Sequence, residues 1–459
     1  MSMQLNLWRV PLALVLALGS SGVNFATAAV CGKVPTFADG KVPLRELHVR
    51  NTGNDSSGDG STANPFATIK KAVTKATAGT AVRVHSGTYS GDISIVNLAG
   101  TATAPIWIGG APGEAPPVIH GGSAGLYLSK LKYFVLHDLA IQYTTSHGIN
   151  IDDGGEVSNP NATRGIIFRN LNIHDTGGHC LKMAGINDFR ILDSKFERCT
   201  VVNIDGVGAH DGVLADSTIS QGSYGAQFKG GSYNVEIRNN RFSNLTTRAV
   251  NMGGSTGLTY FRPMLDSAAV NSEARDIRLI GNVIENSVAP VVFAGCLNCV
   301  VANNTIINPK NFVFRILQET VSNAAYKFAP SSGGRIFNNV IYFDRPSIGM
   351  FVNVGANTAP TTFRFNNNFW YAYNNPAQSV PTGLPVAEYN GIYGQNPNFL
   401  NTGIGSYGIL LTSPAARKGM ADGTVEKFAT GDFDNKCWNN PPSIGAIEAS
   451  NGTTSSSTK

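Results

Sequence analysis

Cationic, amide and carboxylate side chains recur at matching places in a set of short segments. These read HGINIDD (147–153), HCLKMAG (179–185), TVVNIDG (200–206), YGAQFKG (224–230), RAVNMGG (248–254) and FVFRILQ (312–318). In an extended strand alternate side chains point to opposite faces. Ile149, Leu181, Val202, Ala226, Val250 and Phe314 then face inward, and so do Ile151, Met183, Ile204, Phe228, Met252 and Ile316. Between them an outward row reads Asn150, Lys182, Asn203, Gln227, Asn251 and Arg315, with Asp152, Asp205 and Lys229 in a second row. This set suits chemistry beside a carboxylate. A cation neutralises the carboxylate, and a base then removes the proton from the adjacent carbon. Lysine serves as such a base where neighbours or burial lower its pKa.

Lys229 is the first choice as base and Lys182 the second. Lys229 lies near Arg248, whose charge favours the neutral amine or binds a substrate carboxylate. The plain alternative is that Lys229 only pairs with Asp205 one turn of chain away. Arg248, Arg262 and Arg315 are the expected carboxylate binders, with Asn150, Asn203, Gln227 and Asn251 orienting hydroxyls. His179 has the pKa of an acid or base near neutrality, but its corner position equally suits capping, and the same holds for His147 and His210. Asp152, Asp153 and Asp205 offer oxygen ligands to calcium.

What lines these segments up is a repeat. A hydrophobic residue, any residue, Asn or Asp, two more residues and a hydrophobic return at Asp138, Asn170, Asp193, Asp216, Asn239, Asn303, Asn338 and Asn367. From Asn170 through Asp193 and Asp216 to Asn239 the step is 23 residues each time. A fixed period of this size marks a solenoid. Each coil reads strand, Asn/Asp corner, strand, polar corner, strand, and the recurring Asn/Asp is expected to form a structural ladder along the corner. Insertions at 152–164, 253–275 and 318–334 all leave just after the polar row, so they should wall a groove on that face. The longest carries Tyr260-Phe261-Arg262-Pro263, suited either to sugar stacking and carboxylate pairing or to packing as a plug.

Composition agrees with a turn-rich all-β chain: 51 Gly among 459 residues and only 14% charged residues. The formal charge of +5 tolerates an acidic polymer, and no Lys/Arg run suggests nucleic acid. Arg9, the apolar run Val10–Leu18 and Ala26-Thr-Ala28 read as a cleaved export signal over residues 1–28, too short to span a bilayer. A secreted or periplasmic monomer is expected. Six Cys then permit disulfides: Cys180 with Cys199 in consecutive coils, Cys296 with Cys299 at one corner, and Cys31 with Cys437 tying the ends. The Cys296/Cys299 spacing also fits half a zinc site, without a second pair nearby.

Residues 47–92 read strand, polar loop, a short amphipathic helix around Ala67–Ala76 and a Val-rich strand. This segment and the coils after it resemble secreted right-handed parallel β-helix proteins of the pectate-lyase-like superfamily, over about residues 45–450. The resemblance implies an all-β, single-stranded right-handed parallel β-helix with a short N-terminal cap helix. The expected division is a cap over 29–92, coils over 93–392, a closing segment over 393–449 and a loose tail over 450–459. It also implies a polysaccharide lyase with Lys or Arg as base, often with calcium, acting on an acidic polysaccharide by β-elimination. Three alternatives stand beside it. A glycoside hydrolase needs a carboxylate cluster that Asp152, Asp153 and Asp205 match only in part. A C5-epimerase shares the proton abstraction, but its Asp-Pro-His-Asp signature is missing. A non-catalytic carbohydrate-binding solenoid needs only the groove.

Overall fold

The structure is a computed structural model that describes residues 31–423 and 431–452. The expected export signal and residues 453–459 of the tail lie outside them. Nearly all strands join one continuous parallel network, in which each coil pairs with the coil before and after it. The result is a parallel β-helix with three sheets running along its length. One core column in the first sheet runs Leu47, Val82, Ile108, Leu136, Phe168, Ile191, Leu214 and Ile237 in consecutive register. The third sheet carries the polar row, and its inward column is Ile149, Leu181, Ile204, Ala226, Val250, Val291 and Phe314. Every member of that column is fully buried, worth about 1.5–3 kcal/mol for each large side chain.

The corner repeat has a conformational cause. Asn170, Asp193, Asp216 and Asn239 have φ of 52°, 49°, 53° and 54°, the left-handed region that Asn and Asp tolerate best among non-glycine residues. The expected corner residues bond one another in part, Asn338 Nδ2 donating to Asn303 Oδ1 at 3.1 Å and Asn170 to Asp138, but the longest buried ladder runs at the position just after the left-handed one. Asn240, Asn282, Asn304, Asn339 and Asn368 are fully buried. The backbone N–H of each donates to the side-chain oxygen of the next at 2.9–3.0 Å, and Glu388 Oε1 receives the last bond. Ser194 and Ser217 start the same column.

The N-terminal end is covered by the helix Ile69–Val73, shorter than the sequence suggested. Thr68 caps it by accepting from Lys71 N, and Ile69 and Ala72 turn to the core. Coil pairing ends at Ile392–Tyr393, after which Phe399–Asn401 and Ser406–Ile409 form an antiparallel hairpin. Disulfides join Cys31 to Cys437, Cys180 to Cys199 and Cys296 to Cys299, so the zinc alternative falls away. Among the described residues no helix is long and apolar enough to cross a membrane.

Candidate functional site

The third sheet aligns its outward side chains in a register that differs from the sequence alignment in one coil. Tyr127, Asn150, Lys182, Asp205, Gln227 and Asn251 stand in line, followed by Val292 and Arg315. Lys182 therefore meets Asp205, not Asn203. The step from Lys182 to Asp205 is the same 23 residues seen at the corners, whereas the alignment on Asn203 had shortened it by two. Asn203 is fully buried and its amide donates to Ser220 O at 3.3 Å, so it leaves the substrate-binding set. Val202 likewise moves from the core column to a corner row with Tyr224 and Arg248. Gly206 makes room inside for this arrangement, since a Cβ there would stand 2.6 Å from the buried Phe228 ring.

A groove of about 710 Å³ covers this face. Its floor holds Asn150, Lys182, Asp205, Gln227, Asn251 and Lys229, with His179, Tyr224 and Arg248 along the corner. The walls come from the expected insertions, which contribute Gly155, Tyr260, Arg262 and Glu319. Two strands taken from the second and third insertions, Val270–Asn271 and Lys327–Phe328, pair with one another. Glu273 staples the longest insertion. It is buried and accepts from Gly230 N, Thr256 N and Thr256 Oγ1 at 2.7–2.8 Å, with Thr320 Oγ1 also bound.

Asp205 sits at the centre, 4% exposed. Gln227 Nε2 donates to its Oδ1 at 2.6 Å, His179 Nε2 lies 3.8 Å from Oδ2, and Lys229 Nζ lies 3.9 Å from Oδ1. Lys229 also reaches Ser255 O at 3.5 Å. Lys182 makes no side-chain hydrogen bond or ion pair among the described residues, and it lines the groove. His179 and His147 stack with ring centroids 5.1 Å apart. Burial pushes the His179 pKa down, and Lys182 and Lys229 add to this against the pull of Asp205. His147 is lowered to about 4 by burial, His179 and Lys182. Both imidazoles are therefore uncharged at neutral pH.

Several expected carboxylate binders are already engaged. Arg262 Nε donates to Asp153 Oδ2 at 2.5 Å, and Asp153 is 1% exposed. The pair fixes the longest loop, which His210 also grips through Arg262 O at 3.0 Å, so His210 is a loop latch. Tyr260 is 63% exposed over the groove while Phe261 is buried against Phe328, so the aromatic cluster divides between the two roles the sequence allowed. Arg248 is paired with Glu319, donates to Asn251 Oδ1 at 3.0 Å and lies over the Tyr224 ring. Arg315 is not a groove residue: Val292 separates it from Asn251, its Nε donates to Asn353 Oδ1 at 3.0 Å, and it covers Phe312.

The expected calcium ligands do not converge. Asp153 is taken by Arg262 and Gly155 N, and Asp152 Oδ1 accepts from Ser129 Oγ and Gly154 N at 2.7 and 2.8 Å. Among the described residues no three His, Cys, Asp or Glu side chains gather as a metal-holding group. Asp152, Asp153 and Asp205 thus do not fit a shared cation, and no step is routed through one. Sequence reasoning missed Glu319, Glu273 and Tyr224. Tyr224 had a signal, since it heads its strand segment as His179 and Arg248 head theirs. Both glutamates lie in or beside the irregular insertions, where no repeat predicts contacts.

Comparisons with known proteins agree with the architecture. The family described as "Right handed beta helix region" matches residues 124–263, and one described as a protein of unknown function, DUF1565, matches 51–95. No curated protein matches by sequence. A solved pectate lyase, Pel9A, is 16% identical with TM-score 0.52, covering 90% of this chain and 98% of that one. A rhamnogalacturonan lyase is 15% identical with TM-score 0.50, covering 71% and 87%. A GH136 lacto-N-biosidase from Eubacterium ramulus is 12% identical with TM-score 0.54, covering 76% and 67%. These likenesses show the fold, a right-handed parallel β-helix.

Proposed function

We propose that this chain is an exported lyase that cleaves an acidic, uronate-containing polysaccharide by β-elimination in the groove of the third sheet. The observation that carries the reading is the state of the charges there. The wall carboxylates Asp153 and Glu319 are tied to Arg262 and Arg248, whereas Lys182 is uncommitted.

Roles follow from the distances. Asp205, 3.9 Å from Lys229, holds that side chain over the groove floor as a cation facing the substrate. Lys229 therefore neutralises the substrate carboxylate, and the base role, first given to Lys229, passes to Lys182. The Lys182 amine takes the proton α to the carboxylate. The electron pair left behind forms the carbon–carbon double bond as the β carbon–oxygen bond to the next sugar breaks. The leaving oxygen takes a proton from water in the open groove. Asn150, Gln227 and Asn251 orient hydroxyls beside it, and Tyr260 offers a stacking face.

A hydrolase would need two carboxylates available for acid and water-activating roles, and Asp205 alone among the groove acids is held by neither an arginine nor backbone N–H groups. Three disulfides support an oxidising compartment. The test is a panel of pectate, alginate and glycosaminoglycans followed by the ultraviolet absorbance of an unsaturated uronate end. New reducing ends without that absorbance indicate hydrolysis, and binding with neither signal indicates a non-catalytic solenoid.

A further inference from the structure

A second cavity, of about 550 Å³, is lined by the other part of the longest insertion and shares only Asp153 and Arg262 with the groove. Its floor is another row set by the coil register, where Asn187, His210, Tyr233 and Arg275 occupy consecutive coils. The His210 and Tyr233 rings stack at 4.1 Å, and the Arg275 guanidinium carbon lies 4.2 Å over the Tyr233 ring. The lining also includes Met264 and Val270 from the longest insertion, 59% and 65% exposed.

The charges leave one cation in excess. Asp153 is cancelled by Arg262, and Arg275 is the remaining charged lining residue. Its ion partner is the neighbouring Asp276, Nη1 to Oδ2 at 3.1 Å, with the two side chains 49% and 43% exposed. A pair so wet is worth little, so a ligand carboxylate can replace Asp276 on the guanidinium fork. The stack on Tyr233 holds that fork in place, which lowers the ordering cost of binding. Exposed apolar side chains lining a cavity with one cation are what the ring face and carboxylate of an acidic sugar require.

We propose that this cavity is a second, non-catalytic site for a uronate residue, with its carboxylate on Arg275 and its ring face on Met264 and Val270. It does not depend on the lyase reading, because it uses none of the groove's cationic floor. Such a site would hold a branch or a remote residue of the polymer while the groove works on the main chain.

Calorimetric titration of the full chain with galacturonate and glucuronate tests it, with their methyl esters and acetate as controls. In a Lys182→Ala/Lys229→Ala background, uronate binding persists and falls at least about tenfold when Arg275→Gln is added, as for loss of a charge-assisted bond. The methyl ester should reproduce the loss without any change to the protein. Uronate binding that is indifferent to Arg275→Gln, or absent from the groove variant, overturns the site. Acetate binding as tightly as uronate overturns the sugar assignment. Arg275→Gln alone leaves the rate of unsaturated product formation on short oligosaccharides unchanged, which separates this result from any failure of the groove chemistry.

Discussion

Gln227 Nε2 donates to Asp205 Oδ1 at 2.6 Å from the next coil, holding a nearly dry carboxylate between His179 and Lys229. This contact makes Asp205 the electrostatic centre of the groove. Asp205→Asn keeps the shape and removes the carboxylate charge that positions Lys229. Turnover should fall by about a hundredfold, in the range for loss of one preorganised electrostatic group. Circular dichroism and melting should show a folded protein, and wild-type turnover in this variant would remove Asp205 from the mechanism.

The Asp153–Arg262 pair fixes the wall that carries Tyr260. Asp153→Ala strands a guanidinium that is 12% exposed, and breaking a buried pair from one side costs about 3–5 kcal/mol. Asp153→Leu with Arg262→Met should recover much of that stability in denaturant unfolding. Equal losses in the single and double variants would contradict the pair's role as a rigid partition.

Asn304 accepts from both the backbone N–H and the amide of Asn282 and donates to Leu279 O, Ala302 O and Asn339 Oδ1, all at 2.9–3.0 Å. Asn304→Ala leaves several buried groups unpaired, and a loss of about 3 kcal/mol is expected. Asn170, an exposed left-handed corner residue, has a different sensitivity: Asn170→Gly keeps the φ of 52° accessible and should cost less. Hydrogen exchange should show the damage centred on the neighbouring coils, as expected for a solenoid.

Asp432 is fully buried and its pKa is pushed up to about 6 by desolvation, against three backbone N–H donors. A folded-state pKa above the ordinary value of 3.8 means the folded protein holds the proton more tightly. The associated stability is present below pH 3.8 and is lost as pH rises through about 6. Asp432→Asn should flatten that part of the stability–pH curve, by about 3 kcal/mol across the window. Parallel curves for the two proteins would contradict this.

Much of the fold was legible because the corners repeat: left-handed Asn and Asp at a fixed step declare the coil length. The groove face was legible for the same reason, and the insertions do rise beside it. The error at Asn203 came from matching letters within one segment, Asn to Asn, where the corner period placed Asp205 beside Lys182. Asn239 and Asn240 are both Asn and both fully buried, so only their partners separate them: Asn240 N donates to Asn282 Oδ1 at 3.0 Å within the ladder, whereas Asn239 Nδ2 donates to Asn435 Oδ1 at 3.1 Å. Pairings such as Arg248 with Glu319 and Arg262 with Asp153 span 71 and 109 residues through irregular loops. No periodicity encodes those contacts, so arginines that look available in sequence prove to be structural.

The most direct test is the rate of unsaturated uronate formation by wild type, Lys182→Ala and Lys229→Ala on whichever acidic polysaccharide of the panel is cleaved. The account predicts ultraviolet-absorbing product from wild type and a loss of about a thousandfold in Lys182→Ala with substrate still bound, the range for removal of a general base. Lys229→Ala should instead weaken binding and rate together. Undiminished product formation by both variants, or new reducing ends without the absorbance, would contradict it.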